Sequence, residues 1–222
     1  MYISLKHNLM QKYLNITFVL YKMSDFIYQI KNSIPDELCD DIVSMFELED
    51  NKYGGLIFAG WNREIKDTTD LIVPKNEKRW EKVEKYLYNA LNKGFIEYTK
   101  HLNKAEYISK NRNYSVLEFT NFHIENFMIQ KYKKCEGKYV YHNDFSSDSS
   151  TERYRMVTFI WYLNDVCEGG ETEFWGNYTI KPEKGKLVFF PASWTYPHRG
   201  KMPISNDKYI ITNWFYVKEP TA

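Results

Sequence analysis

Cysteine is scarce in this chain and poorly placed for structural work. Only Cys39, Cys135 and Cys167 occur in 222 residues. They show neither the pairing of a disulfide framework nor the ligand spacing of a zinc site. Reduced or buried thiols are the expectation, and they lean towards a cytoplasmic setting. Net charge is scarce too: 30 Lys and Arg against 29 Asp and Glu leave +1. Composition therefore gives no reason to expect nucleic acid or an anionic membrane as partner. No apolar run reaches the ~18 residues of a membrane-spanning helix, and no internal repeat is visible. Residues 1–22 hold one apolar patch, Ile16 to Tyr21, behind Lys6 and Lys12. It is short, polar-interrupted and followed by no small-residue cleavage site, so it makes a poor signal peptide. The segment reads better as an N-terminal extension, with the domain pattern starting at Met23.

Aromatic residues, by contrast, are abundant. They make up 18 % of the chain, with 19 Tyr and 14 Phe, which favours a sheet-rich globular protein. Ser33-Ile34-Pro35-Asp36-Glu37 reads as a helix start, with proline in the first turn and acids at the positive end of the dipole. Leu38, Ile42, Met45 and Phe46 then form one apolar stripe. Residues 51–75 mix short apolar runs with Gly54, Gly55, Asn62 and Pro74, as strands and loops do. From Asn76 to about Leu102, Trp80, Val83, Leu87, Leu91 and Phe95 recur at helical spacing with charges on the other faces. This is a long amphipathic helix, and His101 near its end is read as a solvated or C-terminal helix residue without chemistry. Beyond Ser109 the pattern changes to short strands. They fall at 127–132, 139–144, 155–163, 171–175, 178–180, 186–190, 196–199 and 208–217, with Ser146 to Glu152 as a polar loop. About eight such strands, punctuated by Pro182, Gly185, Pro191 and Pro203, predict a mainly β fold. The expected architecture is a double-stranded β-helix, a cupin-like jelly roll, packed on N-terminal helices. Residues 23–110 are then the helical support and 111–222 the jelly-roll core.

One constellation carries chemistry. Two residues apart on one strand, His142 and Asp144 point to the same face. His198 returns several strands later. Two imidazoles and a carboxylate on one face of a metal leave the opposite positions open, the arrangement of non-haem Fe(II) oxygenases. Each member has an ordinary explanation taken singly: a hydrogen-bonded strand histidine, a turn-forming aspartate. Lys208, Tyr132 and Tyr162 could face the same interior and receive a dicarboxylate co-substrate. Singly they are a surface lysine and two core rings. As a set these residues outweigh the ordinary explanations.

The stretch from about 128 to 217 resembles the catalytic domain of the prolyl 4-hydroxylases, within the Fe(II)/2-oxoglutarate-dependent dioxygenases. The matching segments are Gln130-Lys131-Tyr132, His142-Asn143-Asp144, Arg155-Met156-Val157-Thr158 leading into Tyr162-Leu163-Asn164-Asp165, and Gly169-Gly170-Glu171-Thr172-Glu173-Phe174. Lys181-Pro182, Gly185 to Pro191, His198, Lys208-Tyr209, Thr212 and Trp214 follow in order. The resemblance implies that His142, Asp144 and His198 ligate iron. It implies that Lys208 pairs with the distal carboxylate of 2-oxoglutarate, helped by Tyr132 and Tyr162, and that Thr212 and Trp214 line the pocket. It further implies hydroxylation by O₂ with release of succinate and CO₂, and ascorbate as reductant. The implied partner is a protein or peptide, the target a peptidyl proline. Lysine rather than arginine at the anchor favours the collagen-type or general members over the oxygen-sensing branch. Trp194-Thr195-Tyr196-Pro197-His198 departs from the collagen-type pattern, and this bears on substrate rather than metal. Three alternatives compete: an oxygenase of another side chain, free amino acid or metabolite; a non-catalytic cupin-like binder; and a zinc hydrolase. The intact ligand set speaks against the second. The third lacks a general base and leaves Lys208 unexplained.

Overall fold

The computed structural model describes residues 23–75, 77–104, 117, 122–148 and 153–218. Strand β1 (Tyr28–Ile30) precedes helix α1 (Asp36–Glu47). Next come the short strands β2 (Tyr53–Gly54), β3 (Leu56–Ile57), β4 (Gly60–Trp61), β5 (Lys66–Asp67) and β6 (Thr69–Ile72), then helix α2 (Lys78–Asn103). The remaining strands are β7 (Phe122–Ile124), β8 (Met128–Tyr132), β9 (Lys138–His142), β10 (Ser147–Asp148), β11 (Arg153–Tyr162), β12 (Thr172–Phe174), β13 (Tyr178–Ile180), β14 (Leu187–Pro191), β15 (His198–Gly200) and β16 (Lys208–Lys218).

Two sheets form the jelly roll. The larger runs β1-β14-β11-β16-β8-β6-β2, with β10 added to β11 and β7 to β16; the smaller runs β13-β12-β15-β9-β5. The alternation of side chains along a strand divides the larger sheet into two faces. On β11, Val157, Phe159 and Trp161 join the core shared with the helices. On the same strand Ile160 and Tyr162 join the core between the sheets. Both faces are buried, so β11 reads as a nearly continuous hydrophobic run.

Helix α2 buries Trp80, Val83, Leu87, Leu91 and Phe95, as the periodicity requires. Phe95 stacks on Phe215 of β16 at 4.0 Å between centroids and 13° between planes. Gly94 lets the helix approach: a Cβ there would lie 2.8 Å from Leu187 Cδ2. Helix α1 starts after Pro35 with Asp36 and Glu37 in its first turn, and buries Cys39, Ile42 and Phe46. The buried stripe thus includes Cys39, while Leu38 and Met45 are only partly covered.

Several local expectations are corrected. Strand β9 ends at His142, so Asp144 lies just beyond it. Ser147 and Asp148 of the polar loop form β10, paired with Tyr154 and Arg153; residues 149–152 lie outside the described residues. Of the two readings of His101 the C-terminal one holds: it lies in the last turn of α2, its Nε2 2.7 Å from the Asp25 carbonyl and its ring stacked on Tyr28. The 1–22 extension also lies outside the described residues.

Candidate metal centre and its cleft

β9 and β15 are antiparallel neighbours, and His142 and His198 are direct cross-strand partners. A side chain at such a pair meets its opposite number without any help from loops. Asp144, two residues past His142, turns back to the same point. One ligand atom from each of the three residues lies within 4.8 Å of the others. His142 Nε2 is 3.7 Å from Asp144 Oδ1, and His198 Nε2 is 3.6 Å from Asp144 Oδ2.

Each ring is turned by a backbone carbonyl. His142 Nδ1 lies 2.8 Å from the Val140 carbonyl, and His198 Nδ1 lies 3.0 Å from that of Tyr196. A carbonyl only accepts, so each Nδ1 carries the hydrogen and each Nε2 turns a lone pair inward. Burial, then the neighbouring His198, push His142 well below the ordinary imidazole range, so it stays neutral. Burial acts to raise the Asp144 carboxyl. His198, His142 and the Thr158 hydroxyl outweigh it and hold the group below its usual value. Thr158 donates to Asp144 Oδ2 at 2.7 Å. Two imidazole nitrogens and one fixed carboxylate, converging with one side open, suit a borderline divalent metal.

The triad opens on a cleft of about 470 Å³ between the sheets. Lys208 lies on the same cleft, 1 % exposed. Its Nζ donates to the Gly170 carbonyl at 3.0 Å and sits 3.8 Å from the centre of the Tyr132 ring. Among the described residues no carboxylate forms an ion pair with it. Burial pushes the amine down to about 7, opposed weakly by Glu171. A buried amine without a counter-charge is what a carboxylate-bearing ligand would complete.

Register explains the rest of this wall. Lys208 pairs Tyr132, Ile210 pairs Gln130 and Thr212 pairs Met128 across β16 and β8. Thr158 pairs Trp214 across β11 and β16. Tyr132, Thr212 and Trp214 all line the cleft. Tyr132 donates to Gln130 Oε1 at 3.3 Å, and Thr212 donates to the Phe159 carbonyl at 2.9 Å. Gly200 makes room for the Tyr132 ring, since a Cβ would lie 3.0 Å from its Cε1. Tyr162 faces the space between the sheets, as expected, and is fully buried there beside Tyr132; its hydroxyl lies 2.6 Å from that of Thr172, which lines the cleft.

Sequence reasoning missed Thr158, although it shares strand parity with Tyr162 and is a lone hydroxyl in an apolar run. It missed Lys66 and Asp70, which no motif marks, and gave no role to Gln130 although that residue opens a matching segment. Tyr139 also lines the cleft and stacks on His142 at 3.5 Å between centroids. Tyr141 bonds Glu173, Trp175 bonds the Thr195 carbonyl, and Tyr196 is buried against the Met23 carbonyl. Leu56, Ile57 and Phe58 of the β3–β4 hairpin and Phe145 form the rim.

Comparison with known proteins follows this geometry. Residues 127–216 match the family model of the 2OG-Fe(II) oxygenase superfamily. No curated protein sequence matches the chain. Among solved structures, a prolyl hydroxylase from Trichoplax adhaerens, in complex with a hypoxia inducible factor oxygen degradation domain peptide fragment, is similar with a TM-score of 0.64 at 18 % identity, over 94 % of this chain and 92 % of that one. The viral collagen prolyl hydroxylase of Paramecium Bursaria Chlorella virus-1, in a 2OG complex, gives 0.56 at 20 % identity, over 86 % and 96 %. A Pseudomonas putida prolyl-4-hydroxylase gives 0.57 at 17 % identity, over 86 % and 92 %. At these identities the likeness speaks to the fold.

Proposed function

We propose that this chain, whose residues 127–216 belong to the 2OG-Fe(II) oxygenase superfamily, hydroxylates peptidyl proline. The observation that carries the enzymatic part is the pairing of a two-histidine, one-carboxylate cluster with an unpaired buried lysine on one cleft. His142, Asp144 and His198 would hold the Fe(II). Lys208, with Tyr132 beside it, would hold the distal carboxylate of 2-oxoglutarate. Together the bound iron and co-substrate supply O₂ activation and C–H oxidation, with succinate and CO₂ released.

What the chain itself supplies is placement. The Val140 and Tyr196 carbonyls fix both imidazoles, and Thr158 fixes the Asp144 carboxylate. Ile160 and Ile210 add apolar surface to the wall between these polar groups. Lys208 orients the co-substrate through its charge. Towards the mouth, Leu56 and Phe145 are half exposed and Phe58 is fully exposed. An apolar, aromatic rim suits an extended segment, and proline-rich chains hold that form at low ordering cost. The prolyl target also draws support from the prolyl hydroxylases that share the fold, one of them solved with a peptide.

Succinate release is the test. It should be run over proline-rich peptides, collagen-like repeats, lysyl peptides and free amino acids. Turnover is expected with the first two panels. It should be abolished by His142→Ala, Asp144→Ala or His198→Ala, each with loss of bound iron. Turnover confined to lysyl peptides or free amino acids would move the substrate and leave the oxygenase. Three single variants with full iron content and activity would end the ligand assignment.

A further inference from the structure

A second polar group on the cleft wall has no part in holding iron or 2-oxoglutarate. Lys66 and Asp70 are buried, 4 % and 1 % exposed, with Lys66 Nζ 2.6 Å from Asp70 Oδ2. Both line the same cleft as the triad. They sit where the chain passes from the smaller sheet to the larger: Lys66 pairs Tyr139 in one, Asp70 pairs Gln130 in the other. Lys66 Nζ lies 5.5 Å from the Tyr139 ring, and that ring stacks on His142. The pair therefore stands one aromatic ring away from the metal site.

The two Asp70 oxygens are used unequally. Oδ2 accepts from Lys66 and also from Gln130 Nε2 at 3.3 Å. Oδ1 is buried and has no partner among the described residues. A buried carboxylate oxygen without a donor carries an uncompensated desolvation cost. Burial of an ion pair is itself weak evidence of stabilisation. Among the described residues Lys66 shows one hydrogen bond for its three N–H groups. Side by side on the cleft wall stand a spare acceptor and a spare donor.

We infer that Lys66 and Asp70 form a peptide-group subsite: Asp70 Oδ1 accepts a backbone N–H of the substrate, and Lys66 Nζ donates to a carbonyl of the same extended segment. This rests on the reading of the substrate as a peptide. Proline has no N–H, so the donor comes from a residue flanking the target, and the contact fixes the register of the chain over the metal. Free amino acids and small acids lack that amide, so the same contact selects chains over monomers. An arrangement that served only to join the two sheets would have no need of an unfilled oxygen on a residue that lines the cleft.

The substrate side of the test needs no protein variant. A set of otherwise identical prolyl peptides is made, each with one backbone amide replaced by an ester, which removes a single N–H. The wild-type enzyme should lose about 10- to 100-fold in peptide KM at one flanking position. Asp70→Asn then supplies the partner measurement. Its amide oxygen stays on Lys66, leaving an N–H₂ donor where the acceptor stood. Its peptide KM should rise by a similar factor, the ester at the sensitive position should cost it nothing more, and its anaerobic 2-oxoglutarate Kd should hold. The idea fails if no ester position matters to the wild type, or if ester and Asp70→Asn losses simply multiply. A fall in melting temperature with peptide and 2-oxoglutarate affinity shifting together would make the pair a sheet joint and nothing more. A wild-type enzyme that turns over no peptide at all removes the peptide reading itself, and this subsite with it.

Discussion

Lys208 is the residue whose chemistry depends most on what binds beside it. Burial brings its amine down from 10.5 to about 7. The unfolded chain therefore binds the proton more tightly, and the ligand-free protein gains stability as pH rises from about 7 to 10.5. That contribution is lost as pH falls through 7. A bound carboxylate reverses the preference, because it needs the charged amine, so binding above pH 7 must take up a proton. Anaerobic calorimetry with Fe(II) should show 2-oxoglutarate Kd weakening by about tenfold per pH unit above 7. Lys208→Met should weaken binding at pH 7 by about 10- to 100-fold and flatten the slope. A wild-type Kd constant from pH 7 to 9 would place the carboxylate on another group. Legibility at this scale follows the same logic. His142, Asp144, His198 and Lys208 were visible because such residue types at such spacing seldom coincide. Asp70 and Thr158 were not, because an isolated aspartate or strand threonine looks the same buried or exposed.

Strand β16 does the most for the architecture, with β11 on one side and β8 and β7 on the other. Its inner face carries Lys208, Ile210, Thr212 and Trp214 to the cleft. Its outer face carries Ile211 and Phe215 to the helices. Phe95 of α2 closes that outer side, stacked on Phe215 and edge-on to Phe122 at 5.3 Å. Phe95→Ala should cost about 3–5 kcal/mol through lost contact and cavity. In a chain of this size that is a fall of about 10 °C or more in melting temperature. Well below the transition 2-oxoglutarate Kd should change little, since the inner face of β16 is untouched. A variant that melts like wild type would mean α2 is not anchored at this stack. Elements of this kind were legible: α2 repeats its stripe over many turns, and β11 is apolar on both faces. The two-residue strands β2 to β5 and β10 were not. Pairing alone defines them, and their partners are remote in sequence.

At the scale of the whole molecule, the jelly roll with supporting helices was readable from strand spacing and turn residues. What sequence could not give was how the first described residues tie the layers together. Tyr196 donates to the Met23 carbonyl at 3.0 Å, and Tyr98 of α2 donates to that of Phe26 at 3.0 Å. Ile27 enters the core between the sheets. β1 then pairs β14 from Tyr28↔Phe189 to Ile30↔Leu187, forming one edge of the larger sheet. These contacts are long-range and mostly to backbone, so no side-chain pattern announces them. They set a sharp boundary for truncation. A chain begun at Met23 keeps all of them and should fold, bind Fe(II) and release succinate at the full-length rate. A chain begun at Ser33 loses β1, the Ile27 contact and both carbonyl acceptors. It should melt far lower or fail to accumulate in soluble form, because Tyr196 and Tyr98 would be left with buried hydroxyls and β14 with an open edge. Soluble yield, melting temperature and succinate release of the two chains decide the matter. If the Met23 chain behaves like the Ser33 chain, residues 1–22 pack on the domain and the boundary drawn at Met23 is wrong.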